Sequence, residues 1–147
     1  MMKPGPGKQV GFGLIEVLVS VLVLAIGLLG MASLQSNSMQ MTTGALSRTQ
    51  ALFLAEDIIE RARSNRASVG SYAVASGSPP PCDTTYAIDN SSVSANDVAE
   101  WRNQVSCLLP DGDATVAVAG NVITVTVDWS ARSGQADDGS ITVEAGI

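Results

Sequence analysis

The 147-residue chain has no histidine, only two cysteines and few aromatic residues, which make up 4% of the sequence. Without histidine it lacks the commonest general base at neutral pH, and two cysteines alone cannot complete a four-ligand zinc site. Eight basic residues against 14 acidic ones give a net charge of −6, which disfavours binding to nucleic acid. The scarcity of aromatics also disfavours a stacking surface for single strands. We therefore expect no enzyme, no cofactor, no metal and no nucleic-acid partner.

Two acidic segments resemble parts of a calcium-binding loop. Asp111-Gly112-Asp113 and Asp137-Asp138-Gly139 place carboxylates beside glycine, as calcium-binding loops do. Neither segment has the twelve-residue spacing or the closing glutamate of such a loop, so both are predicted to be turns. The sequence also contains no glycine-rich phosphate-binding motif and no G-x-S-x-G nucleophile motif.

Apolar residues concentrate in one run, residues 12–32, which contains a single charged side chain. As a helix, this run is about 31 Å long and matches a bilayer hydrocarbon core of about 30 Å. Lys3 and Lys8 precede it and the next basic residue is Arg48, so the positive-inside rule places the amino terminus in the cytoplasm. The run is longer than a secretory signal and no A-x-A site follows it, so we expect it to be retained. A buried core helix is the alternative interpretation.

The single charge in the run is Glu16, which lies about one turn inside it. A carboxylate in lipid costs free energy, and less so near the end of a helix. In one interpretation, Glu16 reaches the headgroups, where the amino end of the helix also favours an anion. In the other, it pairs with a cation. Cleavage after Gly11 would leave a free ammonium on Phe12, four residues before Glu16 and on the same helix face.

The segment KQVGFGLIE, residues 8–16, resembles a type IV prepilin leader. That pattern is a short basic leader ending in glycine, then phenylalanine, a glutamate four residues later, and an unbroken apolar run. The resemblance implies cleavage between Gly11 and Phe12 by a prepilin peptidase and N-methylation of Phe12. It also implies that Glu16 meets the Phe12 amine of a neighbouring subunit during filament assembly.

Two positions depart from the common pattern of this family. Gly13 stands where many members carry serine or threonine, and Ser33 stands where many major pilins carry a kinking proline. The second departure favours a minor pilin. The GLLGMASLQ stretch and the later WR and VTVTVDW segments resemble minor pilins of the type IV pilus modification class. The partners implied are other minor and major pilins, the prepilin peptidase, the pilus assembly platform and its motor ATPases.

The helix is predicted to continue beyond the membrane as an amphipathic segment, residues 33–66. This segment has no proline and one glycine, Gly44, which gives a helix of roughly 50 residues that is about 75–80 Å long. A break near Ser33–Asn37 or at Gly44 is the alternative, and Ser64, Asn65 and Gly70 are expected to end the helix. Residues at helical spacing form the expected buried face: Leu34, Met41, Ala45, Leu52, Ala55, Ile59 and Ala62.

Residues 67–147 are expected to form an exported head. A loop over residues 68–85 contains a run of three prolines, and Ser94 is the expected N-cap of a short helix that ends at Pro110. Val98, Trp101, Val105 and Leu108 form the expected core face of that helix. Strict alternation then predicts strands over residues 115–119, 122–129 and 141–144, with Gly120-Asn121 as a turn.

The whole pattern predicts an α+β fold in which a long helix packs against a three-stranded antiparallel meander, as in pilins. The expected organisation is a leader over residues 1–11, a membrane or filament-core helix over 12–32, its amphipathic continuation over 33–66 and a periplasmic head over 67–147. Because the head is exported, Cys82 and Cys107 are expected to form a disulfide, with two unpaired buried thiols as the alternative.

The expected function is that of a minor pilin, a structural and assembly-priming subunit held in the inner membrane and then incorporated into a type IV pilus. A pseudopilin of a type II secretion system shares the leader and the helix and is the nearest alternative. An adhesin and a DNA-receiving competence pilin are further alternatives. Loss of the leader removes Lys3 and Lys8 but no acidic residue, so the mature chain is more acidic still, which argues against DNA.

Overall fold

The computed structural model describes residues 13–77, 79–89, 91–130 and 139–147. The element order is a long helix, α1 (Leu14–Ser64), a 3₁₀ helix (Arg66–Tyr72), a second helix, α2 (Val93–Leu108), and three strands. The strands are β1 (Asp113–Ala119), β2 (Val122–Trp129) and β3 (Gly139–Gly146). This is the predicted α+β fold, a long apolar helix with a three-stranded antiparallel sheet, and the prediction is confirmed. By their contacts the residues divide into two units, Met1–Gln40 and Met41–Ile147.

Helix α1 contains 51 residues without a break. The alternative of a break near Ser33–Asn37 or at Gly44 is therefore wrong, because the helix formers around these weak positions keep the hydrogen-bond ladder continuous. The helix ends at Ser64, as predicted. Within the first unit, every described side chain of α1 is exposed.

The face of α1 that the second unit buries differs from the expected one. Ala55, Ile59 and Ala62 are buried as predicted, but Leu34, Met41, Ala45 and Leu52 are exposed. The expected face was therefore correct in the last turns and wrong for Leu34, Met41, Ala45 and Leu52, because helical spacing does not indicate which turns the rest of the fold buries. The buried face consists of Ala51, Leu54, Ala55, Ile58, Ile59 and Ala62.

The segment predicted as a loop over residues 68–85 contains structure. Its beginning belongs to the 3₁₀ helix, and Tyr72 is fully buried. Val74 then forms an antiparallel bridge with Val116, in which each main-chain amide donates to the other carbonyl at 2.9 Å. This bridge extends the sheet by one residue pair along the outer edge of β1.

Helix α2 begins one residue before the expected cap. Ser92 is the N-cap, and its hydroxyl accepts a hydrogen bond of 3.2 Å from the main-chain amide of Ala95. Ser94, the predicted cap, lies inside the helix and is buried. Trp101 and Val105 face the core as predicted, but Leu108 is 49% exposed and Leu109 is buried instead. Leu109 is the extended C-cap residue, and its main chain leaves the helix, which explains why the helical stripe did not identify it.

The sheet has the order β1-β2-β3 with both pairs antiparallel. A two-residue turn joins β1 to β2, and Gly120 has a positive φ of 59°, a conformation that glycine adopts without strain. Strands β1 and β3 extend beyond the predicted residues 115–119 and 141–144. Alternate residues of β2 are buried as expected: Ile123, Val125, Val127 and Trp129.

Two contacts fix the third strand. Gly139 pairs with Trp129, and a Cβ atom added to Gly139 would lie 2.0 Å from the indole Cζ2 atom, so the indole lies directly against the glycine main chain. At the other end of the strand, the Arg63 guanidinium donates to the Gly146 carbonyl oxygen at 3.1 and 3.2 Å. Helix α1 thereby holds the end of β3.

Candidate functional site

The predicted processing site is at the beginning of the chain. Gly11 and Phe12 lie outside the described residues. Glu16 lies in the first turn of α1 and is exposed. Its main-chain amide donates to the Gly13 carbonyl oxygen at 2.9 Å, which starts the helical hydrogen bonds. The Glu16 carboxylate is therefore carried by ordered helix, close to the amino end where the helix dipole favours an anion.

Helix α1 is long and apolar enough to cross a bilayer. Its most apolar 18-residue window has a mean hydropathy of 2.6, and none of that window is buried within the chain. Ser20, the one hydroxyl of the run at residues 12–32, donates to the Glu16 carbonyl oxygen at 2.7 Å. This hydrogen bond satisfies the hydroxyl inside the helix itself, which lowers its cost in lipid or in a packed helix core. The helix therefore offers an uninterrupted apolar surface.

Arg61 of α1 binds three carboxylates and clamps α2 to α1. Its Nε atom lies 2.9 Å from Asp57 of the same helix, and its Nη1 atom lies 2.7 Å from Glu100 and 3.4 Å from Asp97 of α2. Burial alone would lower the pKa of Arg61, but the hydrogen bond to Glu100 and the surrounding carboxylates raise it. The guanidinium is therefore charged at neutral pH.

Tyr72 extends this clamp to the 3₁₀ helix. Its hydroxyl donates to the Asp97 carboxylate at 2.6 Å and accepts a longer hydrogen bond, 3.4 Å, from the Asn65 side chain. Burial and the hydrogen bond to Asp97 raise the pKa of Tyr72. Arg61, Asp97 and Tyr72 thus form one polar network that joins three helical segments.

Trp101 provides the apolar counterpart of the clamp. The side chain is fully buried, and its indole nitrogen donates to the Leu54 carbonyl oxygen of α1 at 2.7 Å. A buried indole N–H without an acceptor would be costly, so this bond determines how α2 lies against α1.

The two cysteines are joined in the structure. A disulfide links Cys82 to Cys107 of α2, with their Cα atoms 4.7 Å apart. Beside it, the Asn103 side chain accepts from the Asp83 amide and donates to the Asp83 carbonyl oxygen, both at 2.8 Å. Asp83 also accepts hydrogen bonds from the Thr85 hydroxyl and amide, which lower the pKa of Asp83. The segment after the prolines is therefore fixed along α2.

The acidic turn at residues 111–113 has a structural explanation. Asp111 has a positive φ of 47° and its carboxylate accepts from the Ser130 hydroxyl at 2.8 Å. Asp113 accepts from the Ala114 amide, also at 2.8 Å. Among the described residues, no group of three histidine, cysteine or acidic side chains could hold a metal ion. Asp137 and Asp138 lie outside the described residues.

The spacing of four residues places Asp57 beside Arg61 on α1, but the partners of Arg61 on α2 were not predicted. The Asp97 carboxylate binds Tyr72 and Arg61. One signal was available in the sequence, since Asp97, Glu100 and Trp101 share a helix face that brings two acids beside a core aromatic residue. The exposed Phe53 and Leu108 were likewise missed as a pair, because they lie 55 positions apart and only the fold brings them together.

Comparison with known families agrees with these features. The prokaryotic N-terminal methylation motif matches residues 8–32, and the family described as type IV pilin Tt1218 matches residues 33–102. No curated protein and no solved structure matches the chain. The first match covers residues 8–11 of the predicted leader and the apolar first part of α1, and the second covers the rest of α1, the Arg61 clamp and most of α2. Together with the apolar helix and the antiparallel sheet, these two matches, which extend over residues 8–102, support a type IV pilin, a member of a family of structural rather than catalytic proteins.

Proposed function

We propose that the chain is a minor pilin, a structural subunit that is held in the inner membrane and primes or joins the assembly of a type IV pilus. The observation that carries the proposal is the amino-terminal pattern. A methylation motif over residues 8–32 leads into a helix whose only early charge is Glu16 and whose apolar surface is uninterrupted. The absence of a proline at Ser33 favours a minor subunit over a major one.

Processing comes first in this proposal. A prepilin peptidase hydrolyses the Gly11–Phe12 peptide bond on the cytoplasmic face, and the new Phe12 amine is methylated. Glycine before the scissile bond suits a peptidase that has no room for a side chain at that position. The proposed segments are the leader over residues 1–11, the membrane helix over 12–32, its continuation over 33–66 and the periplasmic head over 67–147.

Assembly then exchanges lipid for protein around the helix. In the membrane, the Glu16 carboxylate is a cost, because nothing in lipid compensates its charge. In the filament, it pairs with the Phe12 amine of a neighbouring subunit, and this pair determines the register between the two helices. The apolar surface of residues 12–32 gains close helix–helix contacts without exposure to water.

The head must stay folded during export and filament growth, and two features stabilise it. The Cys82–Cys107 disulfide restricts the unfolded chain, and the Arg61 network holds α2 on α1. Adhesion would require that the subunit is incorporated into the filament and that its exposed surface binds a ligand. The acidic surface disfavours a role as a DNA-receiving competence pilin.

Deletion of the gene, followed by complementation, tests the proposal against its nearest rival. We expect the deletion strain to lose surface pili and twitching motility while type II secretion continues, and we expect the complemented strain to recover both. Loss of secretion with normal pili would instead identify a pseudopilin. Loss of DNA uptake with normal pili and motility would identify a competence pilin.

A further inference from the structure

An apolar groove lies between the two helices of the second unit. It has a volume of about 330 Å³, and we call it the α1–α2 groove. Its lining on α1 includes Leu46, Gln50 and Phe53, and its lining on α2 consists of Gln104 and Leu108. Leu46 is 61% exposed, Phe53 67% and Leu108 49%, so three large apolar side chains converge on a surface that faces solvent. Such a converging apolar patch is typical of an interaction site, whereas single exposed apolar residues are ordinary.

The groove has the shape of a helix-binding surface. Leu46, Gln50 and Phe53 follow one another at intervals of four and three residues, so they line one side of α1 over roughly two turns, about 10 Å. On α2, Gln104 and Leu108 are four residues apart and form the opposite wall. Two adjacent helices with a groove between them accept a ridge of side chains from a third helix.

The charge of the groove selects an uncharged partner. No lysine or arginine lines it, and its one acidic residue, Asp57, is engaged by Arg61 at 2.9 Å. An anionic ligand finds no cation there, and an ammonium finds a carboxylate that is already paired. The surface that matches is a run of aliphatic side chains on a helix without charges.

The walls of the groove are preformed. The Trp101 indole holds α2 to the Leu54 carbonyl oxygen at 2.7 Å, and Arg61 binds Glu100 at 2.7 Å. Leu54 itself lines the groove and is 5% exposed, so the base of the groove belongs to the packed core. A partner therefore binds without first ordering the surface, which reduces the cost of association.

We infer that the α1–α2 groove receives the apolar amino-terminal helix of a neighbouring pilin subunit in the filament. This inference rests on the proposed function and adds one contact between this subunit and its neighbour in the filament. The occupant is argued from the chain itself, since α1 shows which helix a pilin presents: its residues 14–34 carry exposed aliphatic side chains and, after Glu16, no charge. Phe53 and Leu108 are the residues that contact this helix.

Site-specific photocrosslinking in piliated cells tests the inference. The photoreactive amino acid benzoylphenylalanine replaces Phe53, and as the matched control it replaces Ile88, which is 58% exposed and does not line the groove. After irradiation, pili are sheared and crosslinked peptides are identified by mass spectrometry. We expect position 53 to crosslink to the apolar helix of a pilin and position 88 not to do so. Crosslinks to phospholipid, to a protein other than a pilin, or equally from both positions would overturn the inference.

Substitution provides the second measurement. We expect Phe53→Ser combined with Leu108→Gln to reduce incorporation into sheared pili at least tenfold relative to the membrane level, and Ile88→Ser to leave incorporation unchanged. Both changes lie on the surface, and normal disulfide formation in the variant shows that the head has folded. Normal incorporation of the double variant would overturn the inference while the proposed function stands. Absence of the wild-type chain from pili would overturn the proposed function and this inference with it.

Discussion

The Tyr72 hydroxyl donates a 2.6 Å hydrogen bond to the Asp97 carboxylate, which in turn lies 3.4 Å from the Arg61 guanidinium. One short chain of polar contacts thus joins the 3₁₀ helix, α2 and α1. Both lysines of the sequence precede residue 12 and the chain has no histidine, so residues 12–147 contain no lysine or histidine side chain that titrates. The effect of Tyr72 deprotonation on stability can therefore be measured without overlap from lysine or histidine side chains.

The first prediction concerns stability at alkaline pH. The pKa of Tyr72 is raised in the folded state, so the unfolded chain releases this proton first, near pH 10. The stabilisation is complete below that pH and is lost as the pH rises through the folded-state pKa. We expect the free energy of unfolding, measured in urea on the detergent-solubilised chain, to fall above about pH 10.

Tyr72→Phe should abolish most of this alkaline loss and lower stability at pH 7 by about 1 kcal/mol through the lost hydrogen bond. Tyr86→Phe is the control, since it removes the other tyrosine hydroxyl of the chain. An alkaline loss of the same size in Tyr72→Phe would show that the Tyr72–Asp97 contact is not its source.

The second prediction concerns the disulfide. Cys82 and Cys107 are separated by 25 positions, and loss of a bridge of this span should lower the free energy of unfolding by about 3–4 kcal/mol. We expect Cys107→Ser, Cys82→Ser and the double variant to lose the same amount, because each removes the same constraint. Two freely alkylated thiols in the exported wild-type protein, or unequal losses among the variants, would contradict the bridge as the stabilising feature.

The third prediction concerns the close approach of Trp129 to Gly139. An alanine Cβ at position 139 would lie 2.0 Å from the indole Cζ2 atom, so the ring must shift. We expect Gly139→Ala to cost about 1–3 kcal/mol, the usual range for overpacking. At Gly70, an added Cβ meets no atom within 4 Å, so Gly70→Ala should change stability by less than about 0.5 kcal/mol. Equal stability of the two variants in urea unfolding would refute the contact.

The fourth prediction separates membrane anchoring from assembly at Glu16. Glu16→Leu should insert at least as well as the wild type and should still be cleaved, since a carboxylate in lipid only costs free energy. In the filament, the same change leaves an unpaired ammonium, and breaking a buried ion pair typically costs about 3–5 kcal/mol. We expect incorporation into pili to collapse while membrane levels stay normal.

Glu16→Asp keeps the charge on a shorter side chain and should support partial incorporation. The measurement is an immunoblot of sheared pili against membrane fractions. Normal incorporation of Glu16→Leu would show that Glu16 is only a tolerated charge near the helix end.

The sequence was most informative where one physical pattern dominates. The apolar run predicted the first half of α1, and strict alternation predicted the strand β2, in which Ile123, Val125 and Val127 are buried. Periodicity alone was insufficient in α1, because Leu34, Met41, Ala45 and Leu52 lie on the predicted face but are exposed. A stripe identifies a face of a helix, and the tertiary partner decides how much of that face is buried.

Long-range contacts explain the remaining differences. Leu109 replaced Leu108 in the core because the chain leaves the helix at that residue, and a helical repeat cannot indicate this. The groove between Phe53 and Leu108 depends on the Trp101–Leu54 hydrogen bond, which joins residues 47 positions apart. Nothing local in either segment predicts that contact. The leader, in contrast, is a local pattern and could be recognised from nine consecutive residues.

The central claim is that the chain is cut between Gly11 and Phe12 and then built into a pilus, and the intact mass of the chain in sheared pili tests it most directly. We expect the mass of residues 12–147 with one added methyl group and a disulfide. Because both lysines lie in the leader, an amine-reactive reagent should add at most one label, at Phe12. A chain in pili that retains Met1, or cleavage at any other bond, would contradict the account.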